Sequence, residues 1–467
     1  MSYSELSLSE AAAHIRDGAL TAEAYAEELL AVCERGKPLN AFITLDRERV
    51  LSEARAADLT RRNGDALGAL HGIPIAIKDV FDVAGTPTTA GTPALRDNVP
   101  ARTAPMVQAL FDAGAYMLGK TNMHEMAFGI TSSNEFTGAV RNPYDPTRSP
   151  GGSSGGTAAA IAARMAPGGL GSDTSGSIRI PAAHCGIAGY RPSTGRYPAE
   201  GIVPLNHTRD APGPMARSVE DIALLDRVIT GPDHLEPAEL KGMRIGLPKD
   251  YFFDALDSRI GSAMDTELDR LAALGVVFVE ADAPDFAKAR GEATGPIMAW
   301  ELVRDVARYL KEADLRLTIG DLVAAVASPY VKSELESLLI ENPELEGRYK
   351  RAVSEVLPRH RAEYESYLAD NQLSAIAFPT TPLPPPPLGE NESVESDGRP
   401  VSIWVNLRNS VPATLLGAPC LSLPIAMTDD GLPVGLELDG WPGRDGDLLS
   451  IGLAWEREAP RLPAPRL

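Results

Sequence analysis

The chain has 467 residues, 44% of them hydrophobic and 23% charged, with a formal net charge of −20. This is an ordinary globular composition able to bury a large core, and the length suggests two or three domains unless one large α/β sheet holds it all. Such an acidic balance argues against a standing role on nucleic acid or anionic membrane, and the three widely spaced cysteines, Cys33, Cys185 and Cys420, offer neither a disulfide framework nor a zinc spacing.

In chain order, MSYSELSLSEAAAHIRDG lacks the basic and apolar regions of a signal peptide. It reads as a helix, with Ser7 and Glu10 as a capping box and Gly18 as the C-cap. No apolar run is long enough to span a bilayer, so a cytoplasmic location is expected. Two further helices follow, TAEAYAEELLAVCERG from an N-cap at Thr21 to Gly36, and DRERVLSEARAADLTRRNG to Gly64. Ile73 to Ile77 form a short β-branched apolar run between Gly72 and Lys78, which predicts a buried strand. TAPMVQALFDAG reads as helix and AYMLGK as strand.

From about Gly129 to Pro214 the chain is rich in glycine and serine, and TAAAIAARM is its one clear helix. SVEDIALLDRVITG is the next helix, capped by Ser218 and stopped by Gly231. MRIGLP then reads as a strand, DSRIGSAMDTELDRLAALG as an amphipathic helix and VVFVEAD as a strand. Residues 292–368 read as a mostly helical insertion or cap, or equally as an outer helical layer. Leu373 to Phe378 form a buried strand that enters a proline tract, here a rigid loop rather than an SH3-type ligand. APCLSLPIAMTDDGLPVGLELDG reads as two strands around an Asp-Gly turn. Strands separated by helices predict an α/β sheet covered on both faces.

The two serine-rich runs, SPGGSSGGTAAA and GLGSDTSGSIRIP, contain no histidine. A serine hydroxyl is a weak nucleophile without a base. None of the seven histidines (His14, His71, His124, His184, His207, His234, His360) stands in a GxSxG elbow, and His184 reads as a hydrogen-bonded structural residue. No HExxH occurs. GAYMLGKT matches the P-loop spacing formally, but its central residues read as strand. Lys78 can be a solvated strand end. If it is buried instead, its pKa falls and the neutral amine can take a proton. Two small-residue turns, Ser153–Gly156 and Asp173–Ser177, flank the Ala-rich helix, and backbone N–H groups on such turns can face a developing oxyanion.

GIPIAIKD, SPGGSSGGTAAAIAAR and GLGSDTSGSIRIPAAHCGIAGYRPSTGR, in that order, together resemble the amidase signature family. The resemblance runs from the N-terminal helices through GKTNMHEMAFG and NPYDP to LPVGLELDG, and is weakest after about Glu292. It implies one amidase signature domain over residues 1–467: an α/β fold with a large mixed twisted β-sheet, helices on both faces, and a variable helical insertion at about 292–368. It also implies a Ser–cisSer–Lys triad, with Ser177 as nucleophile, Ser153 as bridge after a cis Gly152–Ser153 peptide, and Lys78 as base. The backbone N–H groups of Thr174, Ser175, Gly176 and Ser177 would form the oxyanion hole. Ser154, Asp173 and Arg179 would support the site, and Phe128, Gly129, Ile130 and Thr131 would line its acyl side. Trp300, Trp404 and Trp441 are candidates for an aryl pocket, against plain core or surface roles.

No metal and no cofactor is implied. The partner would be a small-molecule amide, with no nucleic acid or membrane, and a homodimer is left open. GIVPLNHTRDAPGPMARSVEDIALLD and LKGMRIGLPKDYFFDALD look most like the indoleacetamide and mandelamide hydrolase branch, which cleaves primary amides of aryl-substituted acetic acids. The expected activity is a serine amidohydrolase cleaving small aryl or alkyl amides to carboxylate and ammonia or amine; the alternatives are a carbamate, ester or anilide hydrolase with the same triad, and an amidotransferase-type subunit needing partner chains. One position departs from the family pattern. The loop commonly reads GSDTGGS, and here Ser175 replaces the first of the paired glycines. Either the backbone needs a positive φ there and serine strains it, or the hydroxyl lines the pocket.

Overall fold

The computed structural model describes residues 2–231, 235–390 and 392–466, so His234 lies outside the described residues. Its strands are β1 (Phe42–Thr44), β2 (Pro74–Lys78), β3 (Tyr116–Thr121), β4 (Gly168–Asp173), β5 (Ala188–Arg191), β6 (Ala211–Ala216), β7 (Arg244–Gly246), β8 (Val277–Val279), β9 (Ala375–Pro379), β10 (Ser393–Ser396), β11 (Arg399–Ser402), β12 (Cys420–Met427) and β13 (Pro433–Asp439). Eleven form one sheet in the order β1-β3-β2-β4-β6-β5-β12-β13-β9-β7-β8, and β10 with β11 makes a separate hairpin. The sheet is mixed. β2 lies parallel between β3 and β4, β9, β7 and β8 run parallel at the far edge, and the strands from β4 to β9 alternate antiparallel.

Helices pack around this sheet, and their ends follow local chemistry. Ser7 and Glu10 close the capping box and Gly18 ends the helix at φ 78°. Thr21, Asp46 and Ser218 each accept a backbone N–H at the start of their helices. The helix Gly155–Ala162 is buried on every side, as its small, nearly all-apolar sequence allows; its one hydroxyl, on Thr157, bonds to Thr121 and the Leu170 carbonyl. Among the described residues, no helix is long and apolar enough to cross a membrane.

Four strands of the large sheet, and the β10–β11 hairpin beside it, were not apparent in the sequence. β1 is only three residues long. β4, β5 and β6 are glycine- or proline-bearing, yet all are central. Their glycines make room for close neighbours: a Cβ on Gly171 would meet Ile178 Cγ1 and Ser154 Oγ at 2.9 Å, and one on Gly213 would meet the Tyr190 carbonyl oxygen at 2.2 Å. Pro212 and Pro214 are tolerated in β6 because β5 pairs with it only at Ala216 and Met215, beyond both prolines. The helix Arg179–Cys185 was likewise unmarked, since its sequence RIPAAHC is short and begins without a side-chain cap.

The expected helical stretch starts earlier, at Phe286, and continues through Ile319–Ala325, Pro329–Leu338 and Leu345–Arg351 to Leu357–Asp370. Its Leu302, Val306, Tyr309 and Leu322 belong to the main apolar core.

Candidate active site

Lys78 is the last residue of β2, whose five residues are all buried. Parallel pairing with β3 on one side and β4 on the other places β2 inside the sheet, and the Lys78 side chain is buried. Nζ donates to Ser153 Oγ at 2.8 Å and to Ser172 Oγ at 2.9 Å, with the Ser172 carbonyl at 3.4 Å. Burial pushes its pKa down to about 7, against the opposing pull of Asp173 and Asp210. Of the two readings of this lysine, the solvated strand end is therefore excluded.

Ser153 sits in the turn before the helix Gly155–Ala162, after a cis Gly152–Ser153 peptide. The turn is held from behind by the segment 130–132. A Cβ on Gly152 would meet the backbone nitrogens of Ser132 and Thr131 at 2.8 and 2.9 Å. Ser132 Oγ donates to the Gly151 carbonyl at 2.8 Å and accepts from Gly155 N–H at 3.1 Å, and His124 N–H donates to the Ser153 carbonyl at 3.2 Å. Burial, with Lys78 nearby, pushes His124 down to about 4, which leaves the ring neutral at pH 7.

The second run forms the turn between β4 and the helix Arg179–Cys185. Ser154 N–H donates to the Ser177 carbonyl at 3.1 Å and so ties the two turns together. Lys78 and Ser153 are 0% exposed and Ser177 is 8% exposed, so a molecule from outside meets Ser177 first. Ser177 Oγ makes no hydrogen bond among the described residues. The link from Lys78 to Ser153 is formed, and the link from Ser153 to Ser177 is open.

Asp173 organises this loop. It accepts from Gly176 N–H at 2.7 Å, Ile178 N–H at 3.1 Å and the Arg179 guanidinium at 3.0 and 3.1 Å. Burial alone would raise its carboxyl, but Arg179, Arg191 and these donors outweigh it and hold it at about 2. Arg179 reaches on to Glu437 and to the Ser410 carbonyl. Ser154 Oγ donates to the Ser172 carbonyl at 3.3 Å. One expectation is corrected here: the Gly176 N–H is committed to Asp173 and is withdrawn from the oxyanion set. The N–H groups of Thr174, Ser175 and Ser177 donate to no partner among the described residues. The Ser175 alternatives also resolve. Positive φ falls on Gly176, at 117°, and not on Ser175, whose hydroxyl instead accepts from Arg209.

On the expected acyl side, Phe128 and Gly129 are half-buried, and Ile130 and Thr131 are buried. A Cβ on Gly129 would lie 2.2 Å from His124 Nε2, so glycine is required there. Ile130 packs with Ile180, Ile403 and Trp404, and Tyr330 lies beside Trp404 with ring centroids 5.6 Å apart. The other tryptophans go elsewhere. Trp300 stacks on Tyr349, and Trp441 donates to the Leu373 carbonyl. His184 is buried with Nε2 3.4 Å from the Leu383 carbonyl, a structural placement. The Lys120 of the formal P-loop match is buried in an ion pair with Asp79 at 2.7 Å.

Sequence reasoning missed Ser132, Ser172, Arg209 and Asp210. Ser172 lies within β4, whose glycines hide the strand in the sequence, and the others come from loops with no local signal. A cavity of about 320 Å³ opens beside Ser172 and Thr174, and Asp210 and His207 also line it. Among the described residues, two clusters carry metal-ligating atoms, His207 with Glu301 and Asp305, and Cys420 with Glu437 and Asp439. In the first, the donors are engaged with one another and with the His207 and Thr208 N–H groups. In the second, the Arg179 guanidinium already pairs with Glu437, and cations repel.

A family model described as Amidase matches residues 24–449. Indoleacetamide hydrolase of Rhizobium radiobacter is 40% identical over 452 residues, 96% of each chain. Mandelamide hydrolase of Pseudomonas putida is 36% identical over 99% of this chain and 93% of its own. Among solved structures, the native peptide amidase of Stenotrophomonas maltophilia superposes with a TM-score of 0.84 at 28% identity, over 99% of both chains.

Proposed function

The chain belongs to the amidase family and hydrolyses amides, and on that premise we propose that it cleaves primary amides of aryl-substituted acetic acids through Lys78, Ser153 and Ser177. The observation that carries this is the buried Lys78 amine, 2.8 Å from Ser153 Oγ and with its pKa lowered to about 7. A neutral amine is the base that a serine pair without histidine needs.

In the proposed cycle Lys78 takes the Ser153 proton while Ser153 takes that of Ser177, and Ser177 Oγ attacks the amide carbon. The Ser153–Ser177 link closes with substrate bound, since catalytic hydrogen bonds of resting sites tighten in the Michaelis complex. The oxyanion is held by the N–H groups of Thr174, Ser175 and Ser177. The relay then returns a proton to the amide nitrogen, the C–N bond breaks, and ammonia leaves an acyl ester on Ser177. Water, deprotonated through the same relay, attacks that ester and releases the carboxylic acid.

An aryl substituent is supported by the apolar cluster that Ile130, on the expected acyl side, forms with Ile180, Ile403 and Trp404, and by the similarity to indoleacetamide and mandelamide hydrolases. A cytoplasmic location belongs to the same reading, supported by three free, buried cysteines. The test is hydrolysis of a matched arylacetamide, ester, anilide and carbamate by the purified single chain, with Ser177→Ala as control. The amide is expected to be turned over and the variant to be inert. Strong carbamate hydrolysis beside a negligible amide rate overturns the substrate class, and activity only with added partner chains favours an amidotransferase-type subunit.

A further inference from the structure

Arg209 is fully buried behind the loop Asp173–Ser177, and no carboxylate pairs with it among the described residues. Its Nη2 donates to Ser175 Oγ, with Thr414 Oγ1 at 3.4 Å, while Nε and Nη1 have no partner. Its own carbonyl accepts from Arg191 Nη2 at 2.9 Å, which fixes the backbone. The charged groups around it are Asp210 from its own loop, Arg191 at the end of β5, Glu301 from the long helix beginning at Phe286, and Asp173 at the end of β4. Every carboxylate among them is engaged elsewhere: Asp210 with Thr174 and the Leu205 and Asn206 N–H groups, Glu301 with Thr208 and Tyr349, Asp173 with Arg179. Burial lowers the Arg209 pKa to about 10, still charged at neutral pH. A buried cation without an ion pair is costly, and such groups gather where function uses their field.

Ser175 is half-buried. Its Oγ accepts from Arg209 and makes no other hydrogen bond, so its own O–H proton is uncommitted. A hydroxyl that accepts a charge-assisted hydrogen bond becomes a stronger donor. It stands in the turn whose Gly176 N–H has been given to Asp173.

We propose that the Ser175 hydroxyl, oriented and polarised by Arg209, donates to the reacting carbonyl oxygen as it becomes an oxyanion, in place of the N–H that Gly176 has surrendered. This rests on the reading of the loop as the oxyanion site. Ser175 is then a transition-state donor, and Arg209 a positioning residue acting through it.

The test uses Ser175→Gly, Ser175→Ala, Ser175→Thr and Arg209→Lys in the full chain. Loss of one oxyanion donor costs about 10²-fold in kcat, so the Gly and Ala variants should lose about that factor with KM little changed. Their affinity for an arylacetic trifluoromethyl ketone, which forms a tetrahedral oxyanion adduct on serine, should fall in parallel. Affinity for the arylacetate product should not change, and Ser175→Thr should restore most of the rate. Arg209→Lys should lose a similar factor, and the Ser175→Gly/Arg209→Lys pair should be little worse than either alone. Unchanged kcat and ketone affinity in Ser175→Gly and Ser175→Ala overturn the proposal, as does a loss confined to KM and product binding. If Arg209→Lys does not fold, the Ser175 series decides. An inert Ser177→Ala beside unaffected Ser175 variants refutes only this inference, whereas an active Ser177→Ala refutes the underlying site.

Discussion

At Lys78 burial lowers the pKa of a side chain usually charged at neutral pH, as the proposed role of base requires. With a pKa of about 7, the neutral form declines tenfold per pH unit below that value, so kcat/KM should fall on the acid side with that slope and level off above it. A flat profile from pH 5 to 8 would refute the role. The same shift links to stability. Between pH of about 7 and 10.5 the unfolded chain holds a proton that the folded chain lacks, so this group's contribution rises with pH across that window. Below the window its burial costs about 5 kcal/mol, at 1.36 kcal/mol per pKa unit. Lys78→Met should therefore be inactive yet no less stable to urea at pH 6, and a large loss of stability would contradict the depressed pKa. Ser177→Ala should abolish turnover with an unchanged unfolding midpoint. These residues were legible because they sit in motifs. Arg209 and Asp210 were not, because what they touch is decided by a loop that reaches them from another strand.

Elements differ in how far their own residues specify them. Caps at Ser7, Thr21, Asp46 and Ser218 are hydrogen bonds between residues three apart, so those helices were readable from sequence. β4 and β6 were not, because their glycines and prolines serve neighbours rather than propensity. The turn after β4 is the sensitive one. Gly176 has φ 117°, and a Cβ there would lie 2.5 Å from Ser410 Oγ and 2.7 Å from Ser410 Cβ. Gly176→Ala should cost about 1–3 kcal/mol of stability. It should lower kcat by more than tenfold, because the Asp173 bond that shapes the turn is displaced. Urea unfolding and steady-state kinetics on one preparation check both, and wild-type kcat would show that the turn tolerates the shift.

Across the whole molecule, Arg179 joins the active-site strand to the far half of the sheet, pairing Asp173 at the end of β4 and Glu437 on β13. Removing one partner of a buried ion pair leaves uncompensated charge and costs about 3–5 kcal/mol. Arg179→Met should show that loss in urea unfolding, while Arg361→Ala, whose exposed pair with Glu365 is screened by water, should change little. Equal midpoints for the two variants would mean that the buried network does not carry the fold.

By itself the sequence marked the residues on which the proposed chemistry rests, two serine runs without histidine and a lysine at the end of an apolar strand, and the helices whose ends are set by near neighbours. Tertiary structure alone decided that the lysine is buried and depressed, that Gly176 gives its N–H to Asp173, and that an unpaired guanidinium stands behind Ser175. The physical reason is that burial and electrostatic partners depend on which strands lie side by side. Lys78 and Ser172, 94 positions apart in the chain, share a hydrogen bond only because β2 and β4 are neighbours in the sheet.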